Sequence, residues 1–187
     1  MSAEPPVEAP ARAERREPSL VVLHTGDGKG KTTAAMGIAM RAAGHGERVA
    51  VVQFMKSGRW KSGERLAAEQ LGVDWSVIGD GFTWDSDDLE RAAEIARDAW
   101  DEAATRIAEG AYDVVVLDEV TYPLTWGWVP TADVIAAIGA RPAHVSVVLT
   151  GRDAPEELRE LADTVSESTN VKHAFDDGVA ALKGIDF

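Results

Sequence analysis

Ten consecutive residues, His24 to Thr33, have the composition of a phosphate-binding loop. They read HTGDGKGKTT, after the apolar run 20–23 and before a helix-like stretch at 34–43. Backbone N–H groups at a helix N-terminus and the Lys31 ammonium can surround an anion, and the Thr32 hydroxyl can bind magnesium. The spacing predicts a site for a triphosphate-like anion. It departs from G-x-x-x-x-G-K-[ST] because Thr25 stands at the first glycine position, with glycines at 26 and 28 instead.

Two carboxylates end a second apolar run, YDVVVLDE, which closes on Asp118 and Glu119. In proteins with a phosphate loop such a strand lies beside the loop, and its acids bind magnesium directly or through water. The alternative is two acids that merely end a strand. Arg152 follows the predicted strand 145–149, where its guanidinium would neutralise phosphate charge or form a surface ion pair.

Three further loops follow predicted elements. The segment 55–63 is basic and glycine-bearing in an otherwise acidic chain, and 79–85 carries Phe82 and Trp84. Aromatic loop residues either fold down as satellite core or form an apolar platform for a flat ligand, and composition alone favours the core. The segment 120–128 adds Trp126 and Trp128, for which packing is the alternative to ligand contact.

The elements that would position these residues alternate between strands and helices. Strands are predicted at 48–54, 73–78, 112–118, 145–149 and, at an edge, 163–168; helices are predicted at 64–71, 87–109, 131–138, 155–162 (capped by Asp153) and 176–182. The buried stripe of the long helix is predicted as Leu89, Ala92, Ala93, Ala96, Trp100, Ala103, Ala104 and Ile107. This order predicts an α/β fold, a P-loop NTPase-like (RecA-like) three-layer sandwich with a mostly parallel central sheet of about six strands. Ligands of such sheets bind at the carboxyl ends of the strands.

Length and composition limit the number of domains and the classes of protein to which the chain can belong. The 187 residues suit one domain at 19–187, preceded by a proline-rich segment at 1–18 that we expect to be a mobile arm. The net charge of −13 disfavours nonspecific binding to nucleic acid or anionic membranes. The absence of cysteine excludes disulfides and thiolate metal sites. No apolar run reaches membrane-spanning length and no signal-peptide core is present, so we expect a cytoplasmic protein.

Taken together, the motifs resemble those of the ATP:corrinoid adenosyltransferases that act on cobyrinic acid a,c-diamide, cobinamide or cobalamin. The resemblance covers roughly residues 20–187. The matching segments are HTGDGKGKTT, RAAGHG at 41–46, VVQF at 51–54, GFTWD at 81–85, LDE at 117–119, TGR at 150–152, LADTVSE at 161–167, VKHAF at 171–175 and the ending GIDF at 184–187. Many ATP-using proteins share the phosphate loop, whereas the GFTWD loop and the C-terminal segments are far more specific. The chain differs in having Trp126, Gly127 and Trp128 where family members often have tyrosine, an acid and tyrosine.

The resemblance implies transfer of the 5′-deoxyadenosyl group of ATP to the cobalt of a reduced corrinoid, with release of triphosphate. Cobalt(I) is a strong nucleophile that would attack the ribose C5′ in line, so magnesium, Lys31, the loop amides and Arg152 would stabilise the departing triphosphate. The resemblance implies nucleotide contacts at Gly26, Asp27, Gly28, Lys29, Gly30, Lys31, Thr32, Thr33, Arg41 and Arg152. It implies magnesium contacts at Thr32, Asp118 and Glu119, with Glu119 serving the metal rather than activating water.

The resemblance also gives the aromatic loop a role. It implies that Phe82 and Trp84 lie against the lower face of the corrin and exclude its axial ligand, so that cobalt(II) is more easily reduced. Lacking cysteine and a flavin motif, the chain would need an external electron donor, which we expect to be a reduced flavoprotein. The resemblance further implies a homodimer.

Two other functions use the same residues. A P-loop ATPase or small-molecule kinase would employ Lys31, Thr32, Asp118 and Glu119 and release ADP, although the sequence has no obvious arginine-rich lid. A non-catalytic nucleotide- or corrinoid-binding protein would bind and yield no product. The products of the reaction separate these possibilities.

Overall fold

The computed structural model of the chain describes residues 18–55, 62–78 and 89–186. Several predictions fall outside these ranges: most of the N-terminal arm, most of the basic loop at 55–63, and the aromatic loop with Phe82 and Trp84. The described residues contain the phosphate loop, the acidic strand and the segment around Arg152.

The described strands form one six-stranded sheet in which every neighbouring pair is parallel. They are β1 (Val21–Thr25), β2 (Val49–Gln53), β3 (Asp74–Val77), β4 (Val114–Asp118), β5 (Ser146–Thr150) and β6 (Thr164–Glu167), in the order β3-β2-β4-β5-β1-β6. Every residue of the two continuous apolar runs, β2 and β4, is buried. Strands covered on both faces have this composition. The predicted α/β fold with a parallel sheet of about six strands is therefore confirmed.

Helices cover both faces of the sheet. They are α1 (Lys31–Gly44), α2 (Gly63–Gln70), α3 (Leu89–Glu109), α4 (Thr121–Thr125), α5 (Thr131–Gly139) and α6 (Glu156–Leu161). Successive side chains of β4 point to opposite faces of the sheet and so belong to two separate cores. Val116 packs in the cluster that contains Met36 of α1. Leu117 packs in the cluster that contains Trp100 of α3. The α5 and α6 helices contribute to the second cluster. The three-layer arrangement follows directly from the apolar composition of the strands.

One feature of the strand order matters for the site. The acidic strand β4 is not the immediate neighbour of β1, because β5 lies between them and pairs with both. The chain leaves β1 through α1 on one face of the sheet and leaves β5 through α6 on the other. The carboxyl ends of these strands therefore open into the kind of crevice where parallel sheets bind ligands.

Three local predictions were wrong. Asp153 does not cap α6, since the residue before the helix is Pro155 and no side chain caps its first turn. The short helix predicted near 176–182 lies elsewhere: a 3-10 helix spans Ala174–Asp177, and Gly178 ends it with φ 76°. The stripe on α3 includes Ala99, whereas Leu89 is 63% exposed.

In the three described ranges, no helix has both the length and the apolar composition to span a bilayer.

Candidate nucleotide-binding site

The phosphate loop joins β1 to α1 as the sequence predicts. Gly30 precedes the helix with φ 103°, a conformation that favours glycine. The Lys31 Nζ donates hydrogen bonds to the carbonyl oxygens of Gly26, at 2.6 Å, and Gly28, at 2.7 Å. Burial lowers the pKa of Lys31, and the nearby charge of Arg152 lowers it further, whereas Asp27 and Glu119 raise it. The ammonium group is thus held inside the loop, among charges of both signs.

The two additional glycines of the loop contact the chain that follows β6. The Gly28 N–H donates to the Ser168 carbonyl at 2.7 Å, and a Cβ on Gly28 would lie 2.7 Å from backbone atoms of Thr169. Gly26 has φ 92°, and its Cβ would lie 2.5 Å from the Ser168 oxygen. Such distances exclude a side chain at either position. The loop thus departs from the common pattern because its glycines lie directly against segment 168–169.

Asp118 is fully buried at the end of β4, and both of its carboxylate oxygens have protein partners. Oδ2 accepts from Gln53 Nε2 at 2.7 Å, and Oδ1 accepts from the Thr150 hydroxyl at 2.7 Å. The carboxylate thereby links the carboxyl ends of β2, β4 and β5. The Thr150 oxygen also accepts the backbone N–H of Glu119 at 2.9 Å. This network fixes the residue that follows the strand and faces the cavity.

The end of β5 positions Arg152. The Thr121 hydroxyl donates to the Arg152 carbonyl at 2.6 Å. A Cβ on Gly151 would lie 1.9 Å from the same hydroxyl oxygen, so only glycine fits there. Close packing of this turn against the start of α4 directs the chain toward the phosphate loop.

One cavity of about 210 Å³ brings the charged residues together. It is lined by Lys29, Gly30, Lys31, Thr32, Thr33, Glu64, Glu119, Tyr122, Arg152, Ile185 and Asp186. Larger open grooves lie along α3, but they contain none of the predicted site residues. The loop cavity is therefore the candidate site, because it brings together the phosphate-loop residues, Glu119 and Arg152.

Among the described residues, three that are not glycine have positive φ just after strands at this edge of the sheet. Met55 follows β2 with φ 62°, Glu119 follows β4 with φ 64°, and Asp153 lies just beyond β5 with φ 50°. Unfavourable backbone conformations of this kind cluster at functional sites. Their positions agree with a binding site at the carboxyl ends of the strands.

The cavity offers oxygen atoms of the kind that magnesium prefers. They include the Thr32 hydroxyl and the carboxylates of Glu64 and Glu119. The Asp186 carboxylate also lines the cavity and is paired with Lys29. The Glu64 Oε2 is buried without a hydrogen-bond partner, which a metal-bound water would supply. Within the described ranges, no three His, Cys, Asp or Glu side chains are grouped closely enough to hold a metal alone. The residues fit a magnesium ion that keeps waters and shares its coordination with substrate phosphates.

An aromatic cluster begins at the wall of this cavity. Tyr122 lines the cavity, its ring lies 5.6 Å from that of Trp126, and the rings of Trp126 and Trp128 are 4.7 Å apart at 60°. Burial raises the pKa of the Tyr122 phenol, and the charge of Glu119 raises it further. The phenol is thus favoured in its neutral form. Charged and aromatic surfaces therefore adjoin at this site.

The predicted residues divide into four groups. Those at the cavity are Lys29, Gly30, Lys31, Thr32, Thr33, Glu119 and Arg152, while Gly26, Asp27, Gly28 and Asp118 support them from the loop and the strand end. Arg41 is not at the cavity: it is exposed, ten residues beyond Lys31 and therefore about 15 Å further along α1. Phe82 and Trp84 lie outside the described residues.

Sequence reasoning missed four residues of the cavity wall: Glu64, Tyr122, Ile185 and Asp186. Glu64 stands in the first turn of the helix after the basic loop, where its proximity to a loop 30 residues earlier has no local signal. Ile185 and Asp186 belong to the family-like ending. That resemblance was the one available indication of their importance.

Comparison with known proteins agrees with the chemistry of this cavity. The family described as ATP:corrinoid adenosyltransferase BtuR/CobO/CobP matches residues 17–187. The corrinoid adenosyltransferase of Escherichia coli K12 is 45% identical over 181 residues, covering 97% of this chain and 92% of that protein. Corrinoid adenosyltransferase CobA of Salmonella typhimurium gives the same figures, and the Pseudomonas aeruginosa enzyme is 43% identical over 96% of this chain and 87% of its own length. The chain therefore belongs to the ATP:corrinoid adenosyltransferase family.

Proposed function

We propose that this enzyme transfers the 5′-deoxyadenosyl group of ATP to the cobalt(I) of a reduced corrinoid and releases triphosphate, in the synthesis or salvage of adenosylcobalamin. Family membership supports the reaction. The observation that carries the proposal is that one cavity has Lys31 and Arg152 on its wall together with Tyr122, whose ring begins an aromatic cluster. A polyphosphate and a flat apolar ring system would thus bind side by side.

The cationic residues have a direct role in this chemistry. Attack at C5′ leaves a triphosphate whose charge increases as the C5′–O bond breaks. Lys29, Lys31, Arg152 and the loop amides would stabilise that charge without first having to reorganise. Bound magnesium would add Lewis-acid neutralisation of the same phosphates, with Thr32, Glu119 and Glu64 near it and Asp118 acting through Thr150 and Gln53.

For the second substrate we propose that Phe82 and Trp84 lie under the corrin and keep the lower axial position of cobalt empty. Apolar side chains suit this task because they offer cobalt no lone pair. The cluster formed by Tyr122, Trp126 and Trp128 provides apolar surface that begins at the wall of the nucleotide cavity. A reduced flavoprotein would supply the electron for cobalt(II), because this chain carries no cysteine.

We further propose that the enzyme is a cytoplasmic homodimer, with residues 19–187 as its domain and residues 1–18 as an arm at the N-terminus. The net charge of −13 opposes binding to nucleic acid or to anionic membranes. Size-exclusion chromatography with light scattering would test the dimer at 40 kDa, which is twice the chain mass of 20.0 kDa.

The reaction is tested anaerobically with purified protein, magnesium, ATP and chemically reduced cob(I)alamin. We expect a light-sensitive alkylcobalamin spectrum and one triphosphate for each corrinoid converted. Release of ADP without a spectral change would favour an ATPase or kinase. Binding without any product would favour a non-catalytic protein.

A further inference from the structure

The end of the chain forms part of the wall of the nucleotide cavity. The Asp186 carboxylate is paired with the Lys29 ammonium, and both Ile185 and Asp186 line the cavity that contains Lys31 and Thr32. The Asp186 side chain is 22% exposed, against 52% for Lys29. An anion supplied by the chain itself therefore lies at the phosphate loop, and adenosyl transfer as described above gives it no role.

A short turn holds this carboxylate in place. The Asp186 Oδ2 accepts the Leu182 N–H at 2.7 Å, and the Asp186 N–H donates to the Leu182 carbonyl at 2.8 Å. Gly184 lies inside the turn with φ 83°. One oxygen of the carboxylate is thus fixed by the turn, and Oδ1 is presented to Lys29.

Among the described residues, the segment 171–186 that carries this turn packs weakly against the domain. Large apolar side chains along it are mostly exposed: Val171 at 89%, Phe175 at 75%, Leu182 at 62% and Ile185 at 75%. They do not contribute to either core cluster. The pair between Lys29 and Asp186 is therefore an attachment that a competing ligand of Lys29 would break with little loss of packing.

Carboxylate and phosphate oxygens are the same kind of acceptor for an ammonium group. The loop that carries Lys29 is also the part of the chain suited to a polyphosphate. A bound polyphosphate would compete with Asp186 for Lys29 and would repel the carboxylate at short range. Both effects favour separation of Lys29 from Asp186 when the ligand is present.

We infer that Asp186 is an internal competitor of the polyphosphate: it pairs with Lys29 in the nucleotide-free enzyme, is displaced when triphosphate groups bind, and returns as inorganic triphosphate leaves. The inference rests on the proposed nucleotide site, but it concerns polyphosphate binding and needs neither corrinoid nor turnover. Asp186 would weaken the hold of the loop on the product and so favour its release.

Calorimetric titration of the full-length enzyme with inorganic triphosphate and magnesium tests this inference. Asp186→Asn should bind triphosphate about three- to fivefold more tightly than the wild type, as expected for the loss of a partly exposed competing pair. Asp177→Asn is the matched control, because it removes the same charge from the same segment at a residue paired with Lys172, 4.0 Å away and outside the cavity. Equal or weaker binding by Asp186→Asn, or no binding of triphosphate by the wild type, would overturn the inference.

Two further measurements examine the mechanism of competition. In a Lys29→Gln background, the Asp186→Asn substitution should no longer change triphosphate affinity. Trypsin cleavage after the exposed Lys183 should accelerate when triphosphate binds. Protection of Lys183 by triphosphate would contradict displacement, because it would mean that the segment closes over the ligand.

These outcomes separate the inference from the proposed function. An Asp186 effect on triphosphate affinity in a protein that forms no adenosylated corrinoid would sustain the inference and refute the function. Normal adenosyl transfer without any effect of Asp186→Asn on triphosphate affinity would sustain the function and refute the inference.

Discussion

The Thr150 hydroxyl donates a 2.7 Å hydrogen bond to Oδ1 of Asp118, and so joins the carboxyl ends of two neighbouring buried strands. The hydroxyl oxygen of Thr150 also accepts a hydrogen bond from the backbone N–H of Glu119 at 2.9 Å. Glu119 has φ 64°, a costly conformation for a residue with a side chain. The hydroxyl of Thr150 therefore helps to hold the carboxylate that faces the cavity in an otherwise unfavourable backbone position.

Thr150→Val keeps the shape of this buried side chain and removes its hydroxyl, which leaves Asp118 Oδ1 and the Glu119 N–H without that partner. We expect the loss of these two buried hydrogen bonds to lower the free energy of unfolding by about 1–3 kcal/mol, and adenosyl transfer to fall with it. Urea denaturation with a parallel activity assay measures both effects. Thr150→Ser retains the hydroxyl and should stay close to the wild type. Unchanged stability of Thr150→Val would mean that the network is not needed.

Alanine substitutions at two glycines should change the stability of the protein in opposite directions. Gly28→Ala places a Cβ 2.7 Å from backbone atoms of Thr169, so segment 168–169 or the phosphate loop must move. Gly37→Ala lies inside α1, and apart from the adjoining backbone of that helix no described atom lies within 4 Å of the new Cβ. We expect Gly28→Ala to weaken triphosphate binding and lower stability, and Gly37→Ala to raise stability by about 0.5–1 kcal/mol. Thermal unfolding with and without triphosphate distinguishes them, and a harmless Gly28→Ala would refute the close contact.

His24 should make stability depend on pH. Burial lowers the pKa of His24, and its Nε2 is buried without a hydrogen-bond partner. Because the pKa is lower in the folded state than the usual value of about 6.5, the unfolded chain binds more protons below that pH. The free energy of unfolding should therefore fall as the pH drops from 7.5 through about 6.5 and below. Phenylalanine at this position should flatten that part of the profile.

The matched control for this pH effect is His45→Gln, at an exposed position beyond the end of α1. The His45→Gln variant should lose stability at low pH as the wild type does. If His24→Phe and the wild type lose stability equally between pH 7.5 and 5.5, the buried imidazole is not the cause.

Phe82→Ala tests the proposed corrin platform. We expect it to impair reduction of corrinoid-bound cobalt(II) while sparing ATP affinity, because the phenyl ring would keep an axial ligand away from cobalt. Activity with cob(II)alamin and a reduced flavoprotein should fall, whereas activity with chemically reduced cob(I)alamin should fall less. Equal activity of the variant and the wild type with cob(II)alamin would remove the basis for assigning this loop.

Local patterns sufficed for much of the fold. The turn between β1 and α1, the acids after β4 and the arginine after β5 each follow from a short stretch of sequence, and parallel strands bring their carboxyl ends to one edge. Aspartate is a common helix cap, but the residue that precedes α6 is Pro155 and not Asp153. The fixed φ of proline suits the start of a helix. Leu89 fits the apolar period of α3 and is nevertheless exposed.

The rest of the site depends on contacts between distant parts of the chain. The place of Asp118 behind the cavity is set by Gln53 and Thr150, which are 65 and 32 residues away in sequence. Asp186 reaches Lys29 across nearly the whole length of the chain. Spacing within a motif carries no information about such pairs, so they required the strand order and the course of the C-terminal segment.

Attack at the ribose carbon and attack at phosphorus send the oxygen that bridges C5′ and the α-phosphorus to different products. ATP labelled with oxygen-18 at the bridge between C5′ and the α-phosphorus is incubated anaerobically with cob(I)alamin, magnesium and the enzyme, and the products are analysed by mass spectrometry. All of the label should leave in triphosphate, because adenosyl transfer breaks the C5′–O bond. Label retained in a nucleotide product, or triphosphate without oxygen-18, would contradict it.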